Sequence, residues 1–293
     1  MPSTIRTVSV LGSGTMGRGI AHVAATGGFS TRLFDISDGA LTAAQASIHK
    51  NLAKGVELGK VQASDAESAK SRLTTHTTLA EAVAGADLVI EAVPELMKLK
   101  IETFHEVQRH CPAHALFASN TSALSITEMA AGSDRPERFA GMHFFNPVHV
   151  MKLVEIVAAL QSSKETIATV TEVARAMGKE SVQVNESPGF VTSRINVLIG
   201  NEAFRMLQEG VATAEDIDKA LKLGLNHPMG PFELADLVGL DVRLSILEFL
   251  HKSLGESFRP NNLLVQFVRA GRLGRKVGRG VYTYDTQGKK VCV

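Results

Sequence analysis

The sequence predicts an α/β domain built on a doubly wound, mainly parallel sheet, followed by an all-α domain. Three observations carry that expectation. Over the first 92 residues, short β-branched runs alternate with longer Ala-rich stretches, the rhythm of βαβ units in a parallel sheet. At Asn185-Glu186-Ser187-Pro188-Gly189 the composition shifts to turn formers, and beyond it the patterned segments are helical as far as a strand-like run at 281–284. The length of 293 residues suits two domains at about 100 to 200 residues each, which we place at 1–185 and 186–293.

Taken in order, 7–11 reads as a strand, 16–26 as a helix and 31–34 as a second strand. The segment 38–72 has no Pro and only Gly39, Gly55 and Gly59 among Ala, Leu, Lys and Glu, so two helices meeting near Gly59 are expected. A strand at 87–92, a helix at 96–110, strands at 115–119, 139–145 and 153–157, a helix at 165–177 and a strand at 181–184 complete the sheet. In the second domain, a helix over 190–209 sets Ile195, Leu198, Ile199, Phe204 and Leu207 on overlapping faces. A helix apolar around so much of its circumference needs burial on more than one side, and a subunit interface is one way to provide it.

Hydrophobic residues make up 44% and charged residues 21%, the balance of a folded globular chain. With 31 basic and 30 acidic side chains the net charge is +1, too small for the broad positive surface that nucleic acid demands, and no such partner is expected. No stretch approaches the roughly 18 continuous apolar residues of a bilayer span, and Met1-Pro2-Ser3-Thr4 leads into the first strand without the regions of a secretory leader. The cysteines, Cys111 and Cys292, cannot form a framework of bridges or a metal cluster, a usage that fits a reducing cytoplasm.

Gly12-Ser13-Gly14-Thr15-Met16-Gly17 is a G-x-G-x-x-G motif, weak by itself and strong in its context. It follows an apolar strand, opens a helix, and precedes Asp35 at the end of the next strand, the fingerprint of a Rossmann-type dinucleotide domain. Gly12 permits the tight turn, Gly14 admits a pyrophosphate to the backbone, Gly17 lets helix and strand pack, and the N–H groups of Thr15 and Met16 begin the helix that faces the anion. The Asp35 carboxylate suits a ribose diol and repels a 2′-phosphate. Ile36, Ser37 and Asp38 offer no arginine for such a phosphate, which selects NAD over NADP.

Three further clusters fall where strands end. The strand at 87–92 stops near Pro94 with Glu91 and Glu95 at its C-terminal side, and helix capping is the alternative role for either carboxylate. Ser119-Asn120-Thr121-Ser122 follows another strand, where capping of the next helix is again the competing explanation. In Gly141-Met142-His143-Phe144-Phe145-Asn146-Pro147 and Lys152-Leu153-Val154-Glu155-Ile156-Val157, alternation puts His143 on a face with Gly141 and Phe145, and Glu155 on a face with Leu153 and Val157. A carboxylate flanked by Leu and Val needs a partner, since burying it alone costs several kcal/mol. His143 is the nearest titratable candidate, and a His held by a carboxylate is the arrangement of a reversible general base. The run from Asn226 to Pro231 lacks ligand spacing and reads as a rigid turn, so no metal is expected. The basic run of Arg269, Arg272, Arg275, Lys276 and Arg279 reads as cations at a helix C-terminus followed by glycine caps.

Together these motifs, with Ser187-Pro188-Gly189-Phe190 and the tail from Gly274 to Tyr282, make a chain that resembles the L-3-hydroxyacyl-CoA dehydrogenase family over almost its whole length. In length it resembles the stand-alone bacterial branch that acts on 3-hydroxybutyryl-CoA. The resemblance implies an NAD domain, a helical domain that builds a homodimer, and an acyl-CoA substrate, the chemistry of fatty-acid β-oxidation and butanoate metabolism. It implies His143 as base, Glu155 as its orienting partner and Ser122 at the substrate oxygen and the cofactor. It also places Glu95, Lys100 and Asn146 near NAD, Asn146 near the substrate as well, and Ser47 and Lys54 at the CoA moiety. One position departs from the pattern. Relatives carry Asn just before Arg194, where its amide helps hold the substrate oxygen, and here Ser193 stands there, with Asn196 on the same helical face. The expected reaction is reversible oxidation of a short-chain (S)-3-hydroxyacyl-CoA to the 3-oxoacyl-CoA. The alternatives are a dehydrogenase of a free hydroxy or sugar acid on the same fold, and a non-catalytic NAD-binding protein.

Overall fold

A computed structural model describes residues 5–291, so Cys292 and the reading of the first four residues lie outside the described part. The chain divides into two compact units, one ending at Phe190 and the other starting at Val191.

The first unit is built on an eight-stranded sheet of β1 (Thr7–Leu11), β2 (Ser30–Phe34), β3 (Leu73–His76), β4 (Leu88–Glu91), β5 (Leu116–Ser119), β6 (Phe139–Phe144), β7 (Leu153–Ala158) and β8 (Glu180–Asn185). Their order is β3-β2-β1-β4-β5-β6-β7-β8, and every pair is parallel except β6 with β7. The order reverses direction between β1 and β4, the switch point of a doubly wound sheet. Both faces are covered. Ile20, Leu41, Ile48, Val170 and Val173 from helices pack on one side with Val8, Val10 and Ile90, while Phe104, Val107 and Met129 pack on the other with Val89 and Phe117. Burial on both faces explains why β4 reads as a continuous apolar run rather than an alternating one.

The long segment after β2 forms two helices, Asp38–Glu57 and Ala63–Arg72, with Gly59 at φ +66° between them. Two elements were not anticipated, β3 itself and the short helix Leu79–Val83. β3 is a four-residue edge strand, Leu73-Thr74-Thr75-His76, that follows its helix with no Gly or Pro at the join. Its pairing with β2 is a tertiary contact without a local turn signal.

On the helix Thr15–Thr26, His22 is buried and stacks on His149 at 5.3 Å with the rings 5° from parallel. Lys179, buried as well, donates to the carbonyls of Val148 and, at 2.9 Å, Met151. Burial foremost, then the charges of His149 and Lys179, push the His22 pKa from 6.5 down to about 4. Between those values the unfolded chain binds a proton that the folded chain refuses, so stability is full above pH 6.5 and falls as the pH drops toward 4. The total is about 3 kcal/mol. In urea unfolding, wild type should lose most of that margin between pH 7 and pH 4.5, and His22→Gln should show a distinctly flatter dependence.

The second unit packs helices Thr192–Gln208, Ala214–Gly224, Pro231–Val238, Leu240–Leu254 and Asn262–Arg269 around Phe204, Phe232, Leu247 and Leu250. On the first of these helices Phe204 is buried, Leu198, Ile199 and Leu207 are half-buried and Ile195 is exposed. The expected strand-like run at 281–284 is present only as isolated bridges, held by a few main-chain bonds to Gly278, Gly280 and Val291 and by side-chain acceptors. Asp236 accepts from Val281 N at 2.8 Å, Tyr282 N at 2.9 Å and Tyr284 Oη at 2.9 Å, and Asp218 accepts from Tyr282 Oη at 2.8 Å. Arg269 does lie in the last turn of the helix Asn262–Arg269 with Gly271 at φ +71° after it, while Arg272, Arg275 and Lys276 of the basic run make specific pairings. Arg272 donates to the Gly280 carbonyl at 2.7 Å, Lys276 pairs with Asp241 at 2.6 Å, and Arg275 lies over the Tyr284 ring. Among the described residues no helix is long and apolar enough to cross a membrane, and no group of His, Cys, Asp and Glu could hold a metal ion.

Candidate active site

At the β1 end, each glycine of the motif has a separate physical reason. Gly12 has φ +96°, and a Cβ there would stand 2.7 Å from the Ala92 carbonyl oxygen. A Cβ on Gly17 would overlap the Gly12 carbonyl, so only glycine lets the helix start against the turn. Gly14 differs, since its Cβ would meet nothing within 4 Å. The protein's own packing does not require a glycine there, which leaves free space above the backbone. Gly14 is also the N-cap of the Thr15–Thr26 helix, with no side-chain cap on that end. Open backbone N–H groups at a helix start, with room above them, fit a pyrophosphate.

Asp35, just past β2, is fixed by its neighbours. Its Oδ2 accepts from Ser13 N at 2.8 Å and Ser13 Oγ at 2.7 Å, and its Oδ1 from Ser37 N at 3.1 Å. Partial burial raises its pKa, but the hydrogen bonds from Ser13, Ser37 and Ile36 outweigh that and hold the carboxyl below its ordinary value. It is therefore an ionised acceptor beside the open turn, as a ribose diol requires.

The ends of β4 and β5 carry a connected polar network. Glu91, buried at the end of β4, accepts from Lys100 Nζ at 2.7 Å, Val93 N at 2.7 Å and Ser119 Oγ at 2.6 Å. Lys100, on the helix Met97–Val107, reaches Glu95 at 3.1 Å as well. Glu95 accepts in turn from Ser122 N at 3.2 Å and from the Thr121 hydroxyl. Burial raises the Glu91 pKa, with the Lys100 ammonium working against it. Glu95 does not cap its helix, and the helix Ile126–Ala131 is capped by Ser125 rather than by the Ser119–Ser122 cluster. Asn120 serves the neighbouring strand, its Oδ1 accepting from Phe144 N at 3.0 Å, one residue from His143.

β6 and β7 set His143 directly opposite Glu155 in the antiparallel register. His143 Nδ1 lies 2.6 Å from Glu155 Oε2 with both residues buried, so the pair expected from strand alternation is in contact. Phe145 and Phe190 flank the imidazole at ring distances of 4.5 and 5.8 Å. A neutral ring donating from Nδ1 to the carboxylate carries its lone pair on Nε2, the form that accepts a proton. Asn146 follows β6 in an exposed position.

Ser47 and Lys54 lie two turns apart on the helix Asp38–Glu57, hence on one face, with Lys54 paired to Glu57 at 3.0 Å. Ser193 sits half-buried in the first turn of the helix Thr192–Gln208. On that helix the main-chain carbonyl and Oδ1 of Asn196 both accept from Arg243, at 3.0 and 3.1 Å. The reading of the residues missed the joint role of Glu91, Lys100 and Ser119. A signal existed. Lys100 shares its helix face with buried Phe104 and Val107, and a lysine on such a stripe needs a buried partner.

A family model described as 3-hydroxyacyl-CoA dehydrogenase, NAD binding domain, matches residues 7–187, and one described as 3-hydroxyacyl-CoA dehydrogenase, C-terminal domain, matches residues 189–284. A Bacillus subtilis protein named as a probable 3-hydroxybutyryl-CoA dehydrogenase is 49% identical over 282 residues, covering 96% of this chain and 98% of its own. The 3-hydroxybutyryl-CoA dehydrogenase of Bradyrhizobium diazoefficiens is 44% identical and covers 97% of each chain. Among solved structures, the (S)-3-hydroxybutyryl-CoA dehydrogenase of Ralstonia eutropha matches with a TM-score of 0.93 and 43% identity, over 97% of this chain and all of its own.

Proposed function

Because the chain belongs to the 3-hydroxyacyl-CoA dehydrogenase family, we propose that it interconverts (S)-3-hydroxybutyryl-CoA and acetoacetyl-CoA with NAD as its redox partner. The single observation that carries the mechanism is the buried contact between His143 and Glu155. NAD supplies the hydride acceptor, and in the reverse direction its reduced form supplies the donor. In the oxidative direction His143 Nε2 takes the proton of the substrate hydroxyl. The Glu155 carboxylate keeps Nδ1 protonated, fixes the ring and stabilises the imidazolium that forms. In the reductive direction the imidazolium returns that proton to the oxygen at C3.

Ser122 donates a hydrogen bond to the substrate oxygen, with its backbone held by Glu95. Gly12, Gly14, Thr15, Met16, Gly17 and Asp35 hold the adenosine and pyrophosphate end of the cofactor, while Glu95, Lys100 and Asn146 face its other end. Ser47 and Lys54 hold the CoA moiety, and Ser193 takes part in binding the substrate oxygen. The second unit forms a homodimer, supported by its exposed Leu223, Leu225, Leu237 and Val242. Residence in the cytoplasm rests on the sparse use of cysteine.

The experiment is NADH oxidation across acetoacetyl-CoA and longer 3-oxoacyl-CoA substrates, with NADPH in parallel and free CoA as a competitor. Acetoacetyl-CoA should be turned over, free CoA should compete, and NADH should exceed NADPH clearly in kcat/KM. Asp35→Ala should narrow that gap chiefly by weakening NADH. Equal use of both cofactors by wild type contradicts the role of Asp35, and indifference to free CoA contradicts the CoA site.

A further inference from the structure

Resting on the reading that Ser193 lies at the substrate oxygen, we propose that Asn196, turned by Arg243, donates a hydrogen bond to that oxygen and supplies the amide that Ser193 lacks. Ser193 and Asn196 stand three residues apart on the helix Thr192–Gln208, so their side chains share a face, and both are half-buried. A serine hydroxyl reaches less far than an amide, which leaves room for a donor from the next turn of the same face.

Arg243 decides which way that amide points. Its Nη1 stands 3.1 Å from Asn196 Oδ1 and 3.0 Å from the Asn196 main-chain oxygen. A guanidinium only donates, so the side-chain oxygen of Asn196 must face it and the NH2 group must face away. Among the described residues Asn196 Nδ2 donates to nothing, and it is not one of the unpartnered atoms sealed in the core. The side chain therefore carries two uncommitted N–H groups.

The guanidinium is an unusual choice for a purely structural contact. Arg243 is buried, and among the described residues no carboxylate pairs with it. Burial lowers its pKa to about 10, so it remains a cation at neutral pH. Gly200, one turn beyond Asn196, leaves it room, since a Cβ there would stand 3.6 Å from Nη1. A buried cation without a counter-charge is costly to keep for packing alone. On an amide oxygen it has a chemical effect, because it fixes the amide and draws electron density toward Oδ1, which strengthens the Nδ2 hydrogens as donors. Such a donor suits an oxygen at C3 that gains negative charge as hydride arrives or as its proton leaves.

The test is steady-state kinetics with acetoacetyl-CoA and NADH, beside thermal unfolding, for wild type, Asn196→Asp, Asn196→Ala, Arg243→Met and the double variant of Ser193→Asn with Asn196→Ala. Asn196→Asp keeps its oxygens for Arg243 and has no N–H, so the melting temperature should hold or rise while kcat falls by roughly ten- to a hundredfold. A merely structural asparagine predicts the opposite, since the aspartate would hold Arg243 more tightly and turnover would survive. Asn196→Ala should lose kcat to a similar extent with KM little changed, and adding Ser193→Asn should restore most of it by returning an amide to the same face. Arg243→Met removes a buried charge at similar volume, so stability should hold or rise, whereas kcat should fall by less than in Asn196→Ala as the amide loses its fixed orientation. Wild-type kcat in Asn196→Asp or in Arg243→Met overturns the proposal, and so does a loss in Asn196→Ala that Ser193→Asn leaves unrepaired. Should Asn196→Ala fail to fold, Asn196→Asp decides. A folded wild type that does not turn over acetoacetyl-CoA overturns the reading on which the proposal rests, and the proposal with it.

Discussion

Replacing His143 with Gln is expected to lower kcat by at least about two orders of magnitude, the usual scale for losing a general base. Glu155→Gln should cost nearly as much, although it touches no substrate. The reason lies in the register. Glu155 sits opposite His143 in a buried ladder, with Oε2 2.6 Å from Nδ1, so an amide at 155 can present its NH2 group to a nitrogen that must itself donate. The ring then loses both its orientation and the counter-charge for its protonated form. Because the two act as one unit, the double variant should be far less impaired than the product of the single effects. Affinity for NADH should barely change in any of the three. Multiplicative effects, or normal turnover in Glu155→Gln, would separate the contact in the fold from any part in catalysis.

A second large effect is expected at the glycine turn, where neighbouring positions should fail in different ways. Gly17→Ala sets a Cβ against the Gly12 carbonyl, and the helix must move off the strand to admit it. Thermal stability and cofactor binding should both fall. Gly14→Ala sets its Cβ in open space, with no atom within 4 Å, so the melting temperature should stay near wild type. The methyl nevertheless occupies the space expected for the pyrophosphate, and NADH affinity should drop by about two orders of magnitude, the scale of several lost charge-assisted hydrogen bonds. Calorimetry and thermal unfolding of both variants check the pair. An unaffected affinity in Gly14→Ala would show that the dinucleotide does not approach the backbone there.

What could be read in advance followed local chemistry. The first strand, glycine turn and helix were legible because three constraints coincide within 20 residues: an apolar run, fixed glycine spacing and an amphipathic helix. The closeness of His143 and Glu155 followed from period-two alternation and the high cost of an unpaired buried carboxylate. Other contacts had no local signal. β3 is short, polar and joined directly to a helix, so its existence depends on β2 lying beside it. The Glu91–Lys100 pair spans a turn through Pro94 and forms only once the helix docks on the sheet. Glu91, Glu95 and Ser119 stood out only as polar residues at strand ends and Lys100 only through family resemblance, so their connection into one network was not readable. The C-terminal tail depended on Asp218 and Asp236 more than 40 residues upstream, which no pattern within the tail could announce.

The measurement that tests the central claim most directly is steady-state consumption of NADH by wild type with acetoacetyl-CoA, with free acetoacetate in parallel and the chirality of the product determined. The account predicts rapid turnover of the thioester to (S)-3-hydroxybutyryl-CoA and little with the free acid. Turnover of acetoacetate at a comparable rate, or no turnover of acetoacetyl-CoA by a folded protein that binds NADH, would contradict it.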